Sequence, residues 1–395
     1  MTKNILLLNN AYWPSIGGVE NSLRHLALES IKAGYRVKVV VGDIGVPQYS
    51  KSRMSEIIDN IQVTRYPIAP INFGFLKWLN VFVSSWYLYK ILKVEYESFP
   101  NTIVISRFHI CAVIAVFIGF KNVRYLIPSV ITNQSSIELT LRGNIFLRMR
   151  EKLFIKWHSY WQRLAIRNCR NFVFSKTMYL QCKKLSGSQR IDFFIAKPGV
   201  DKQRFNPSSQ DVRIALRKEL GLPLDKTLIL FVGRFVKAKG CDLLIKSMAL
   251  MPNSFHLVMV GDGVEKNTYH ELIKSNLIKD KVTIVKPTRD VENYYRSSDI
   301  FVMCSRYEPL GQTILESFSC GLPVVAFTPG AEVDTAIKEL EMDQYVWYSN
   351  ELSEEGLADT IKLCSVHLTQ LDRYLISKNV NIKFSWFALL DSLTK

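Results

Sequence analysis

Residues 300–327 constrain this chain more than any other stretch. An apolar run, Ile300-Phe-Val-Met-Cys304, leads into a glycine-containing turn, then a helical segment, then a second apolar run, Pro323-Val-Val-Ala-Phe327. Each run is short, apolar throughout and bounded by turn residues, as in a strand buried on both faces. Strand, helix and strand within so few residues leave room for one arrangement, a parallel pair bridged by a helical crossover. The alternation recurs. Runs at 227–232, 255–260 and 281–285 join 299–303 and 323–327 as a second sheet, while Lys3–Leu8, Ala33–Val41 and Thr102–Ser106 supply strands of a first. The fold class is therefore α/β. At 395 residues the chain exceeds what one hydrophobic core serves, so two domains are expected. Proline and glycine interrupt the chain from Lys197-Pro-Gly-Val-Asp201 to Phe205-Asn-Pro207, which sets the boundary between 1–195 and 196–374.

The chemistry-bearing residues follow the strands. Glu308 precedes Gly311 and Glu316 lies about two helical turns beyond it, so two carboxylates flank a helix entrance whose N–H groups have no internal partner. Strand 227–232 runs into Gly233-Arg234-Phe-Val-Lys237-Ala-Lys239-Gly240, where Arg234 and Lys239 at another helix entrance suit a diphosphate and Lys237 reads as a solvated loop lysine. Strand 255–260 ends in Gly261-Asp262-Gly263, a close-approach turn. Near the start, Gly17-Gly18 opens a helix reaching Lys32 and lets backbone come against a ligand. His109 follows the carboxyl end of strand 102–106, where open α/β sheets bind ligands; a helix-capping role is the alternative for that residue. A ligand with phosphates in the middle and hydroxyl-bearing rings at both ends fits this layout.

The pattern Glu308-x7-Glu316 followed by Gly321-Leu-Pro-Val-Val resembles the signature of the retaining nucleotide-sugar glycosyltransferases of family 4. That resemblance implies the GT-B fold, two Rossmann-like domains facing each other across a cleft. It also implies that a C-terminal helix of about 375–395, marked by Phe384-Ser-Trp386, returns to the first domain. It assigns the donor diphosphate to Arg234, Lys239 and the backbone of Leu310, Gly311, Gln312 and Thr313, with Gly17, Gly18 and Gly261 at close approach. Glu308 falls to the sugar hydroxyls, Glu316 to the ribose hydroxyls, and His109 to the wall beside the reacting sugar; His109, Glu308, Arg234 and Lys239 form the catalytic set. Many members carry a further histidine where this chain has Arg107.

Charge divides the chain unevenly. Residues 1–195 contain 26 basic and 10 acidic side chains, whereas 196–395 contain 25 of each, so the whole excess of +16 lies in one half. A solubility requirement would spread it, so a polyanionic partner is expected. Arg142 to Arg170 mixes eight basic residues with aromatics, including Arg148, Arg150, Lys152, Lys156, Trp157, Trp161 and Arg163. Gly74 to Lys93 repeats the theme with three lysines and no acid. Cations interleaved with tryptophan suit an anionic membrane surface. No zinc-finger spacing or RNP-like strand points to nucleic acid. No run is long enough to span a bilayer, no signal peptide is evident, and seven unpaired-looking cysteines suit a reducing compartment. No Asp-x-Asp metal motif occurs, so neither a cofactor nor a divalent metal is expected.

The resulting expectation is a sugar transferase. It takes a nucleotide diphosphate sugar and a lipid-linked glycan or glycolipid acceptor, and it is peripheral on the cytoplasmic face of the membrane in surface polysaccharide or glycolipid biosynthesis. The alternatives are a soluble GT-B enzyme making a disaccharide or storage glucan, and a non-catalytic nucleotide- or glycan-binding scaffold.

Overall fold

The structure is a computed structural model and describes all residues except 1–2, 16, 47–54, 70–78, 133–144, 189 and 331; it also excludes the side chains of 145–148, 150 and 151. The chain forms two compact units, one of 1–132, 144–199 and 386–395, the other of 200–385.

The first unit is built on an eight-stranded sheet of β1 (Asn4–Ala11), β2 (Arg36–Ile44), β3 (Ser55–Ile58), β4 (Ile61–Tyr66), β5 (Ile103–Ser106), β6 (Val123–Leu126), β7 (Arg170–Val173) and β8 (Phe193–Ile195). Its order is β3-β4-β2-β1-β5-β6-β7-β8, parallel except for the β3–β4 hairpin. β1 and β5 are neighbours, with Leu7 opposite Ile105 and Leu8 opposite Ser106. Ile5–Leu8, Val39–Val41 and Val104–Ile105 are buried. Parallel strands covered on both faces carry apolar side chains at every position, which explains their uninterrupted runs. The helices are α1 (Gly18–Lys32), α2 (Asn80–Ser98), α3 (His109–Ile118), α4 (Ile145–Asn168) and α5 (Lys176–Ser186).

The second unit has a six-stranded parallel sheet of β9 (Thr227–Val232), β10 (Phe255–Val260), β11 (Val282–Val285), β12 (Ile300–Met303), β14 (Val324–Phe327) and β16 (Val346–Ser349), in the order β11-β10-β9-β12-β14-β16. Two short strands, β13 (Tyr307–Glu308) and β15 (Asp334–Thr335), pair separately. Its helices are α6 (Gln210–Glu219), α7 (Cys241–Ala249), α8 (Lys266–Ser275), α9 (Val291–Ser297), α10 (Gln312–Ser319), α11 (Glu354–Val366) and α12 (Arg373–Lys383), and the chain ends in α13 (Trp386–Thr394). β16 escaped the sequence reading: Val346-Trp-Tyr-Ser349 is an edge strand, half-buried, and no glycine turn announces it.

The returning segment is shorter than the expected 375–395. In α12, Ile376 and Val380 are fully buried in the core of the second unit, and Arg373 donates to the carbonyls of Ser298 (3.0 Å) and Cys320 (3.3 Å). That burial fastens 373–385 to the second unit. Only α13 joins the first, where Trp386 stacks on His25 of α1 (4.9 Å) and lies over Gly199, whose missing Cβ would overlap its ring.

Candidate functional site

In both sheets the strand order reverses beside the first strand. The first unit continues from β1 to β2 on one side and returns with β5 on the other; the second does the same with β9, β10 and β12. At such a switch point the loops after the two neighbouring strands diverge and leave a crevice at the carboxyl ends. The residues singled out in the sequence sit on these loops: Gly17–Gly18 and His109 in the first unit, Arg234–Lys239 and Glu308–Gly311 in the second.

In the second unit the loops after β9, β10 and β12 are joined backbone to backbone. Gly233 N–H donates to Val260 O (3.1 Å), Phe235 N–H to Asp262 O (2.8 Å), and Arg306 N–H to Ala238 O (2.9 Å). Two glycines make this possible. A Cβ on Gly261 would lie 2.0 Å from Gly233 O, and one on Gly240, at φ +64°, would lie 2.0 Å from Cys304 O. Lys239 is thereby carried to the β12 loop, where its ammonium donates to the Glu308 carboxylate in a half-buried ion pair. The other Glu308 oxygen accepts from Gly311 N–H (3.2 Å), at the N-cap of α10. Cation, carboxylate and helix N-terminus form one cluster, assembled from loops 69 residues apart. Leu310, Gln312 and Thr313 are half-buried around that same helix entrance, whose dipole favours negative charge.

Glu316 lies deeper along α10 and accepts from the Tyr295 hydroxyl (3.0 Å). Burial pushes its carboxyl up to about 7, although the Tyr295 hydrogen bond and Arg204 draw it down. Arg234 is exposed on the β9 loop, and no described group hydrogen-bonds or ion-pairs with its guanidinium. Arg234 thus shares the loop of Lys239 without sharing its carboxylate. Among the described residues no group of three or more His, Cys, Asp or Glu is placed to hold a metal ion.

In the first unit Gly17 is the N-cap of α1, with Gly18 the first helical residue. His109 opens α3 and is buried, its Nε2 2.8 Å from Nδ1 of His158 on α4. Burial, reinforced by His158, lowers the His109 imidazole to about 3, so it is neutral at any working pH. Nothing in the sequence singled out His158, a lone histidine within a basic aromatic helix. Arg107, which precedes His109, is 3 % exposed; its Nε and Nη1 have no hydrogen-bond partner and it lies over the Phe174 ring (5.1 Å). Burial lowers it to about 10.

The basic aromatic segment is helix α4, and the side chains of Arg148 and Arg150 lie outside the described residues. Lys152, Lys156 and Trp157 are exposed, as are Leu153, Phe154 and Tyr160. Phe82 of α2 meets Trp157 edge-on (6.3 Å), and Trp86, one turn further along α2 and half-exposed, lies under the Lys90 ammonium (3.6 Å). Phe82 and Trp86 with Lys90 on α2 and Trp157 on α4 therefore share one outer face. Trp161 lies edge-on to Trp157 (5.7 Å), and Arg163 is exposed. Trp161 is half-buried with its Nε1 sealed off, and Arg163 donates to Leu185 O at the end of α5 (2.9 Å). Among the described residues no helix is long and apolar enough to cross a membrane.

Two family models match, Glycosyltransferase Family 4 over residues 16–204 and Glycosyl transferases group 1 over 212–365. A D-inositol 3-phosphate glycosyltransferase of Xylanimonas cellulosilytica is 33 % identical over 156 residues, which is 37 % of this chain and 37 % of that relative's own length. Sucrose-phosphate synthase of Thermosynechococcus elongatus superposes with a TM-score of 0.79 over 99 % of this chain and 97 % of its own, at 18 % identity. HepE of Anabaena, solved with UDP and glucose, superposes at 0.73 over 99 % and 98 %, also at 18 % identity.

Proposed function

The chain belongs to the family 4 glycosyltransferases, enzymes of the GT-B fold, and from that premise we propose that it moves a sugar from a nucleotide diphosphate sugar to a hydroxyl of a lipid-linked glycan or glycolipid, with retention at the anomeric carbon. The observation that carries the transfer chemistry is the Lys239–Glu308–Gly311 cluster at the β9/β12 switch point. Departure of a nucleoside diphosphate builds negative charge, and Lys239, Arg234 and the α10 N-terminus offset it. Binding exchanges the carboxylate partner of Lys239 for phosphate oxygens and frees Glu308 for the sugar hydroxyls. With two fixed cations on one loop, no divalent metal is required. The test is a turnover panel of UDP-, GDP- and ADP-sugars in EDTA, run with a thermal-shift screen of the free nucleotides. A matching diphosphate at 100-fold its Kd stabilises by about 2.7 kcal/mol. If no nucleotide raises Tm and no sugar is consumed, the reading fails.

Glu316 is the ribose partner in this scheme, which makes donor affinity pH-dependent. Its folded pKa lies above the ordinary 4.5, so its contribution to stability is complete below that value and is lost as pH rises through about 7. Ribose hydroxyls need the ionised carboxylate as acceptor. The thermal shift produced by nucleotide should therefore grow between pH 6 and about 8, and Glu316→Gln should abolish that growth. An unchanged profile in the variant removes Glu316 from the ribose site.

The acceptor class rests on charge. The basic excess of the first half and the exposed Phe82, Trp86, Phe154, Trp157, Lys90, Lys152 and Lys156 together suit an anionic bilayer, with the enzyme peripheral on its cytoplasmic face. Replacing Lys152 and Lys156 by glutamine removes two charges worth about 1 kcal/mol each, so sedimentation with phosphatidylserine vesicles should weaken about 30-fold. Binding insensitive to this change, to salt and to lipid charge would favour a second reading, a soluble phosphorylated acceptor. A relative named for D-inositol 3-phosphate, and the buried Arg107 whose Nε and Nη1 have no hydrogen-bond partner, speak for that alternative.

A further inference from the structure

We infer that His158 is a positioning residue for the transfer, holding the His109 ring in one orientation and tying its tautomer to that of His158 through the hydrogen bond between His158 Nδ1 and His109 Nε2. The inference rests on the reading of His109 as the histidine beside the reacting sugar.

The geometry leaves the two rings few choices. They meet edge to face, at 89° with centroids 5.1 Å apart, and their nitrogens are 2.8 Å apart. No other described group hydrogen-bonds either ring. Each is also clamped by aromatics. Phe108 lies 4.4 Å from His109, and Phe154 lies 4.1 Å from His158, centroid to centroid. α3 and α4 pack side by side, so neither backbone can swing its ring away without opening that interface.

Two neutral imidazoles can bond in only two ways, because one nitrogen must give the proton and the other must take it. If His109 Nε2–H donates, His109 Nδ1 is left as an acceptor and His158 carries its proton on Nε2. If His158 Nδ1–H donates, His109 Nδ1 carries a proton and becomes a donor. The state of the His109 nitrogen that is free to meet a substrate is therefore tied to the tautomer of His158. Burial lowers the pKa of both rings, which favours the neutral pair. A ring free to flip or exchange tautomers would present the wrong nitrogen part of the time. The bond removes the ring flip and makes any tautomer change a concerted event in both rings before substrate arrives, which is how a group outside the reacting shell accelerates a reaction.

The experiment compares His158→Ala with His158→Asn. The amide of asparagine reaches where Nδ1 stood and can give or take the same hydrogen bond. In His158→Ala, kcat should fall about 10- to 100-fold while KM for the donor stays within about 2-fold. His158→Asn should recover kcat to within about 3-fold of the parent. A second readout needs no substrate. In protein labelled with 15N-histidine, the long-range 1H–15N spectrum of His109, assigned by its loss in His109→Gln, should show a hydrogen-bonded Nε2 in the parent and in His158→Asn. In His158→Ala it should show averaging. An unchanged His109 pattern in the alanine variant, or a parent-like kcat there, overturns the proposal. If the parent consumes no nucleotide sugar, the transferase reading falls, and the spectrum still decides whether His158 holds the His109 ring.

Discussion

Replacing Lys239 by alanine lowers kcat about 10²- to 10³-fold, and kcat/KM for the donor falls by at least that factor. Charge on the departing diphosphate grows toward the transition state, so the part of the Lys239 interaction that strengthens there is read in kcat, and the contact already made to the bound phosphates is read in KM. Arginine should not substitute fully, because a planar fork cannot take the place of a point charge bonded to Glu308. Removal of Lys239 has a structural side as well. Its side chain is 20 % exposed and that of Glu308 13 %, so the variant strands a half-buried carboxylate with Gly311 N–H. The double variant Lys239→Ala/Glu308→Ala separates the two effects. Stability should recover because no charge is left unpaired, whereas turnover should not. Arg234→Ala, which breaks no ion pair among the described residues, should lower turnover at unchanged Tm. Near-parental transfer by Arg234→Ala/Lys239→Ala would remove both cations from the mechanism.

Gly240→Ala should be the most destabilising single methyl in the second unit. A left-handed backbone costs an alanine about 1 to 2 kcal/mol. The new Cβ would also lie 2.0 Å from Cys304 O, a backbone atom that cannot rotate aside, and overpacking of this kind costs about 1 to 3 kcal/mol more. Together these lower Tm by about 5 to 15 °C. Gly221→Ala is the matched control. It lies in the same unit at φ +65°, with nothing within 4 Å of the added methyl, so it carries the backbone cost alone. Equal melting of the two variants would show that the loops after β9 and β12 are not held as close as described. Unequal melting, with donor binding lost only in Gly240→Ala, ties that contact to the placement of Lys239.

The strands at 227–232, 255–260 and 300–303 were legible because burial on both faces writes itself into consecutive residues. Glu308, Gly311 and Glu316 were legible for the same local reason, a turn and a helix entrance within nine residues. β16 was missed because an edge strand needs less apolar character, and α12 was allotted to the first domain because its amphipathic pattern does not say which core it fills. That exposed Arg163 donates to Leu185 O at the end of α5 was not legible, since a cation on a helix does not reveal which neighbouring element it reaches.

What the sequence determined by itself is therefore the α/β class, the glycine turns that end the strands, and the residue types waiting at those ends. Periodicity and turn chemistry act over a few residues and need no partner to be recognised. Which ends meet was decided by the tertiary structure alone. The Lys239–Glu308 pair spans 69 residues and the His109–His158 pair 49, and each exists only because strand order and helix packing bring two distant loops or helices together.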